Sequence, residues 1–251
     1  MTLFVRVILC TAPFMAIGVR GAAQVYPKWF LEQGDLGCAG SAAGVAAASY
    51  FPDSTGGEAF RMGVENCVRN HRVTIQGGKQ LFTTEEGTMV VSTTVRESFD
   101  TSRVEVCARS AKILARFSGS AYAIVLAGQA DCPVPAQLLK LVSVDSLAPP
   151  AWVSAPPRDA LFDYACGMSE PYFYEASCWM EAEKNARLEL ARSVSSKLRS
   201  VEKLEKDETY GVSEMSVRDE DLSVTLRDIE VVHRWRSAKT RLYYVLIRSP
   251  R

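Results

Sequence analysis

The sequence is short of the residues that chemistry usually needs. It holds two histidines, His71 and His233, and its seven cysteines show no Cys-x-x-Cys spacing. A zinc site would therefore need a cysteine cluster that the spacing does not offer. A Gly-x-Ser-x-Gly elbow, a phosphate-binding Gly-rich loop and a paired metal-ligand motif are all missing. Net charge is missing too, since 29 basic residues balance 29 acidic ones, and a balanced chain has no electrostatic footprint for nucleic acid. The apolar run Val7 to Val19 falls short of the ~20 residues that span a bilayer as a helix. These absences predict a chain with no catalytic, cofactor-binding or metal-binding residues, no cofactor and no nucleic-acid partner.

What is present reads as an exported globular protein. Hydrophobic residues make up 47% and charged residues 23% of 251, a composition that favours neither disorder nor a membrane bundle. The length suits one large domain or two of about 100 to 125 residues. Arg6, the apolar run and the small residues Gly21-Ala22-Ala23 ahead of Gln24 have the layout of a secretory signal, with cleavage expected near Ala23. Cys10 is a poor lipid attachment site, because Leu9 stands where a lipobox has a small residue. Membrane association thus lacks a convincing anchor, and the expected location is the periplasm or the outer membrane's periphery. Six cysteines remain beyond the leader: Cys38, Cys67, Cys107, Cys132, Cys166 and Cys178. An oxidising compartment permits disulfides among them, and every pairing stays open at this level.

The chain also reads as one unit written twice. Pro27-Lys28-Trp29-Phe30 and Pro150-Ala151-Trp152-Val153 open the two copies. Small-residue strands follow, Leu36 to Ala42 and Tyr164 to Glu170, with Cys38 set against Cys166. Then come helices, Glu58 to His71 and Ser177 to Leu198, in which Phe60 meets Trp179 and Asn66 meets Asn185. In the second, Trp179, Ala182, Ala186, Leu190, Val194, Leu198 and Val201 recur at helical spacing, while Glu183, Lys184, Arg187, Glu189 and Arg192 fall largely on the other side. Each copy closes with a hairpin rich in β-branched and aromatic residues, Lys112 to Phe117 with Tyr122 to Leu126, and Ile229 to Trp235 with Tyr243 to Ile247. Between helix and hairpin, Thr88 to Phe99 and Gly211 to Leu226 suggest an added strand or long hairpin. Ala136 to Val144 suggests a short helix or strand at the junction.

The expected fold is therefore α+β, two tandem similar domains, each with one amphipathic helix on a small, mainly antiparallel sheet. Their boundaries are residues 1–23 for the signal peptide, 24–127 for the first domain, 128–149 for the linker and 150–251 for the second domain.

Pro150-Ala151-Trp152-Val153, Pro156-Pro157, Tyr164-Ala165-Cys166-Gly167, Ala182 with Ala186-Arg187-Leu188-Glu189-Leu190-Ala191, and Val231 to Trp235 with Tyr243 to Leu246 form an ordered set. Together they resemble the LPP-twenty lipoprotein family, whose domain is similar to the N-terminal domain of the FlgT-type flagellar assembly protein. The likeness covers residues 150–251, with residues 25–127 as a degenerate copy. It implies a bacterial cell-envelope protein without known chemistry, acting on envelope or flagellar proteins. The alternatives are a surface-exposed antigen or adhesin that binds host molecules, and an enzyme with an unrecognised site between the domains.

Several local features have simple structural readings. His71 and His233 occupy non-equivalent places and read as structural histidines. Gly37 to Gly44 lacks the lysine of a phosphate cradle and reads as a tight strand-to-helix passage. Asp53 to Glu58 reads as the start of a helix. The four tryptophans, Trp29, Trp152, Trp179 and Trp235, are expected to anchor cores.

Overall fold

A computed structural model describes residues 24–49, 52–84, 87–129, 132–144, 148–206 and 218–251. The expected leader, residues 211–217 of the stretch from Gly211 to Leu226, and the side chains of Leu198 and Val201 lie outside the described residues.

The fold is α+β and its sheets are antiparallel. A short strand β1 (Val25–Pro27) runs into a helical turn α1 (Lys28–Leu31) and a 3-10 turn Gln33–Leu36. Then come β2 (Ala42–Ala47), α2 (Pro52–His71), the long pair β3 (Arg72–Thr84) and β4 (Gly87–Ser98), and α3 (Ser102–Ser110). The hairpin β5 (Lys112–Ser118) and β6 (Tyr122–Gly128) follows, and after it β7 (Leu141–Ser143), which pairs with β1. The second half holds β8 (Phe162–Ser169), α4 (Glu175–Lys206), β9 (Arg218–Arg227), β10 (Glu230–Arg236) and β11 (Tyr243–Pro250).

The two halves share a strand order and a register. One sheet runs β2-β6-β5 and the other β8-β11-β10. In the first, Gly44 faces Val125, which faces Arg116; in the second, Gly167 faces Val245, which faces Arg234. Each outer hairpin strand carries a bulge two residues before its arginine, at Leu114 and at Val232. The openings match in backbone as well. Pro27 and Pro150 precede helical turns with φ of −68° and −71°, the value proline's ring prefers.

The same glycines seat the two helices. A Cβ on Gly44 would lie 2.1 Å from the Ala59 carbonyl oxygen and 2.2 Å from the Gly63 nitrogen. A Cβ on Gly167 would lie 2.2 Å from the Ala182 carbonyl oxygen and 2.1 Å from the Ala186 nitrogen. Helix backbone rests directly on strand backbone at both places, which only glycine permits.

This register corrects the alignment read from sequence. Ala59 corresponds to Ala182 and Gly63 to Ala186, so Phe60 does not match Trp179, and Asn66 does not match Asn185. Cys166 corresponds to Ala43, because the first small-residue strand starts at Ala42 and not at Leu36. Gly37 (φ 65°) and Gly40 (φ 78°) turn the chain ahead of that strand, so they form no strand-to-helix passage. Helix α2 starts at Pro52, whose fixed φ suits a first helical position, and Asp53 to Glu58 are inside it. The stretch from Thr88 falls on β4, paired to a β3 that the sequence reading lacked. Ala136 to Val144 holds a 3-10 turn, Ala136–Leu138, and then β7.

A third sheet, β4-β3-β9, joins the halves, with β3 of one paired to β9 of the other from Arg72↔Arg227 to Leu81↔Arg218. The hydrophobic core is likewise continuous across them. Tyr26, Trp29, Phe30, Ile124 and Leu126 belong to the same buried cluster as Trp179, Leu190, Val245 and Ile247. Trp179 is its pivot, meeting Tyr26, Phe30 and Tyr243 edge-on at centroid distances of 5.5, 5.4 and 4.8 Å. Such edge-to-face pairs each add about 0.5–1.5 kcal/mol beyond the area they bury. Trp29 and Trp235 are buried too, whereas Trp152 is half-buried and stacks on His233.

Candidate functional site

Polar chemistry inside the protein concentrates where the halves meet. Helix α4 was expected to hold Glu183 and Arg187 away from its apolar side, but both are buried, at 5% and 3% exposure. Their partners come from other elements. Arg187 donates to both carboxylate oxygens of Glu97 on β4, from Nε at 2.8 Å and from Nη2 at 3.1 Å. Glu183 receives Arg234 of β10, through Nη2 at 2.7 Å and Nε at 3.2 Å. Arg187 Nη1 stands 3.8 Å from Glu183, which closes the chain of charges. Arg69 on α2 adds its Nε at 3.7 Å from Glu97.

Three guanidinium groups thus share two carboxylates, and neutral groups take up the excess positive charge. Arg234 Nη1 donates to the Phe30 carbonyl at 2.8 Å and to Gln33 Oε1 at 2.9 Å, and its guanidinium lies 4.2 Å from the Phe30 ring centre. Arg69 lies 4.5 Å from the centre of the Phe99 ring. Burial, and then Arg187, push Arg69 below the usual arginine range, against the pull of Glu97 and Glu183. Forked donors against carboxylates, with aromatic faces alongside, are the pairing that guanidinium groups serve best. Arg116, which holds Arg234's place in the first sheet, lies close to Gly56 instead.

A second polar cluster sits at the start of α4. Glu175, its first residue, accepts a hydrogen bond from the Gln24 side-chain amide. Burial raises its carboxyl to about 7, with Arg236 drawing it the other way. Tyr243 beside it is raised well above the phenol range, first by burial and then by Glu175. A protonatable carboxyl is one part of an active site, and a nucleophile would be another. Burial pushes the Cys67 thiol up to about 12 and the Cys166 thiol up to about 11, and raises Cys178 as well, so these three keep their protons at neutral pH.

The two histidines stand far from this cluster in role. His71 ends α2 and meets Asp228 at 3.2 Å on the surface. His233 is held below its usual value by burial, against Asp35 and Glu32, as it stacks on Trp152. Among the described residues no three His, Cys, Asp or Glu side chains converge as metal ligands, and no helix is long and apolar enough to cross a membrane. Cys38 and Cys132 form a disulfide that ties the loop before β2 to the segment after β6.

The surface carries a feature that the sequence reading passed over. The loop between β8 and α4 presents Tyr172, Phe173 and Tyr174, with Phe173 92% exposed. Leu161 and Met168, just before and within β8, and Met180 on α4 are exposed as well. β8 is an edge strand of its sheet, so unpaired backbone lies within the same region. Single exposed apolar residues are ordinary, but these three aromatics follow one another on one loop and form a continuous exposed run. Comparison with protein-family models, with curated proteins and with solved structures finds no match for this chain.

Proposed function

We propose that this is an exported, non-catalytic cell-envelope protein that works through protein–protein contact in a periplasmic or outer-membrane-associated assembly, a flagellar one among them. The observation that carries the reading is the exposed Tyr172-Phe173-Tyr174 loop beside the edge strand β8. Aromatic side chains with a polar tip favour protein interfaces, and an edge strand supplies backbone donors and acceptors to a partner. The interior supports the same reading. The buried charges of Glu97, Glu183, Arg187 and Arg234 are spent on one another. The likeness to envelope lipoproteins in the second half points the same way.

The test is a photo-crosslinking amino acid placed at position 173 in cells that make the full chain. A discrete adduct with an envelope protein, lost when the probe is moved to the buried position 190, is the expected result. Absence of any adduct from a correctly folded variant would end the reading. Impaired motility on deletion of the gene would select the flagellar version, and normal motility would remove it.

A further inference from the structure

We propose that Cys67 on α2 and Cys107 on α3 are a dithiol pair that oxidises to a disulfide and thereby locks α3 onto α2. The proposal rests on the reading that the chain is exported.

Among the described residues, four cysteines are outside the Cys38–Cys132 bond. Cys166 belongs to β8 and Cys178 to α4, where Cys178 is buried and its sulfur accepts the Tyr172 backbone N–H. Cys67 and Cys107 instead belong to two helices that pack on each other. On α3 the least exposed side chains are Val104, Cys107 and Ala108, whose spacing makes them one face of the helix. Cys107 is therefore at the middle of the side that α3 turns inward. On α2, Cys67 lies between buried Val64 and buried Val68, with its sulfur 3.7 Å from the Ala127 carbonyl. The two thiols are within electrostatic reach of each other, since Cys107 adds to the upward push that burial exerts on Cys67.

The step balances with a protein disulfide as oxidant, of the kind a thiol–disulfide oxidoreductase carries. Cys107, on the helix with no buried residue, attacks that disulfide as its thiolate and forms a mixed disulfide, releasing one thiol of the oxidant. Cys67, its proton passing to the departing thiolate, then attacks the Cys107 sulfur, and the oxidant's second thiol leaves. Two electrons pass from the pair to the oxidant, and the two thiol protons end on the oxidant's thiols.

The bond would change a part of the molecule that is weakly held. No residue of α3 is buried. A groove of about 390 Å³ runs beside it, lined by Val68, Arg72, Thr74, Phe99 and Arg103 among others. Val68 follows Cys67 directly and Arg103 is one helical turn before Cys107, so a crosslink fixes both walls of that groove.

The test uses the full chain expressed with its own first residues, alkylated before reduction and mapped by mass spectrometry. Expected are linked Cys38–Cys132 and Cys67–Cys107 peptides, with Cys166 and Cys178 alkylated. A linked Cys38–Cys132 with Cys67 and Cys107 both alkylated overturns the proposal and leaves export standing. If all six are alkylated, export falls, and the folded chain in a glutathione redox buffer decides the pair. An intramolecular Cys67–Cys107 bond there upholds it, whereas glutathione adducts or links to other cysteines overturn it. In the linked form, amide hydrogen exchange across α3 should slow about tenfold or more, and Cys107→Ser should abolish the slowing. Unchanged exchange in the linked protein would refute the lock.

Discussion

Replacing Arg234 with methionine should cost about 3–5 kcal/mol of stability. Its guanidinium makes two contacts to Glu183, at 2.7 and 3.2 Å, and one each to the Phe30 carbonyl and to Gln33. Methionine fills much of the volume, so the loss is electrostatic. Among the described residues, Glu183, 7% exposed at its side chain, would keep an ion pair with Arg187 alone, at 3.8 Å. A buried charge stripped of its partner costs about 3–5 kcal/mol, a large share of the roughly 5–15 kcal/mol that holds an ordinary domain together. Urea unfolding followed by tryptophan fluorescence would show a lower midpoint at unchanged slope. The companion Arg234→Met with Glu183→Leu removes both charges and should recover at least half of the loss, because a buried ion pair is about as stable as an apolar pair of similar volume. A single variant that costs under about 1 kcal/mol, or a double variant less stable than the single, would refute the account.

Glycine and carboxyl substitutions test different links. Gly44→Ala and Gly167→Ala should each destabilise by about 3 kcal/mol, since the new methyl meets helix backbone that has nowhere to move. Gly57→Ala in α2, where nothing lies within 4 Å of the added carbon, should stabilise by about 0.5–1 kcal/mol in the same urea unfolding assay. For Glu175 the folded carboxyl titrates near 7, against an ordinary value of 4.5. The folded state therefore binds that proton more tightly, and its contribution is full below about 4.5 and is lost as pH rises through about 7. Stability measured against pH should fall over that window by up to about 3 kcal/mol more in the wild type than in Glu175→Gln, and parallel curves would show that the carboxyl is not held as described.

Local pattern was enough to read the helices on their sheets and the closing hairpins. Trp179, Ala182, Ala186 and Leu190 mark the covered side of α4 by spacing alone, and the β-branched runs around Val125 and Val245 mark central strands. The misses share a physical cause. Glu183 and Arg187 occupy the helix positions where solvent is expected, and they are buried because Glu97 and Arg234 reach them from elsewhere in the chain. Nothing in the neighbouring sequence carries that information. β3 went unread because its Gly77-Gly78 pair weakens a strand pattern, and its pairing with β9 is a tertiary event. The Cys38–Cys132 bond was one of many open pairings until the loops were placed. The Tyr172-Phe173-Tyr174 loop was visible as letters, but its exposure was not.

The sheet shared by β3 and β9 also sets an order of events for the growing chain. Arg72 pairs with Arg227, so β3 leaves the ribosome long before its partner strand exists. Until then it has β4 on one side and an open hydrogen-bonding edge on the other, the kind of edge that recruits stray strands. Contacts this distant in sequence slow folding, because the intervening loop must be closed before the pairing returns any energy. Protein made without residues 218–227 would carry that edge permanently, and its fate would be aggregation or capture by a chaperone.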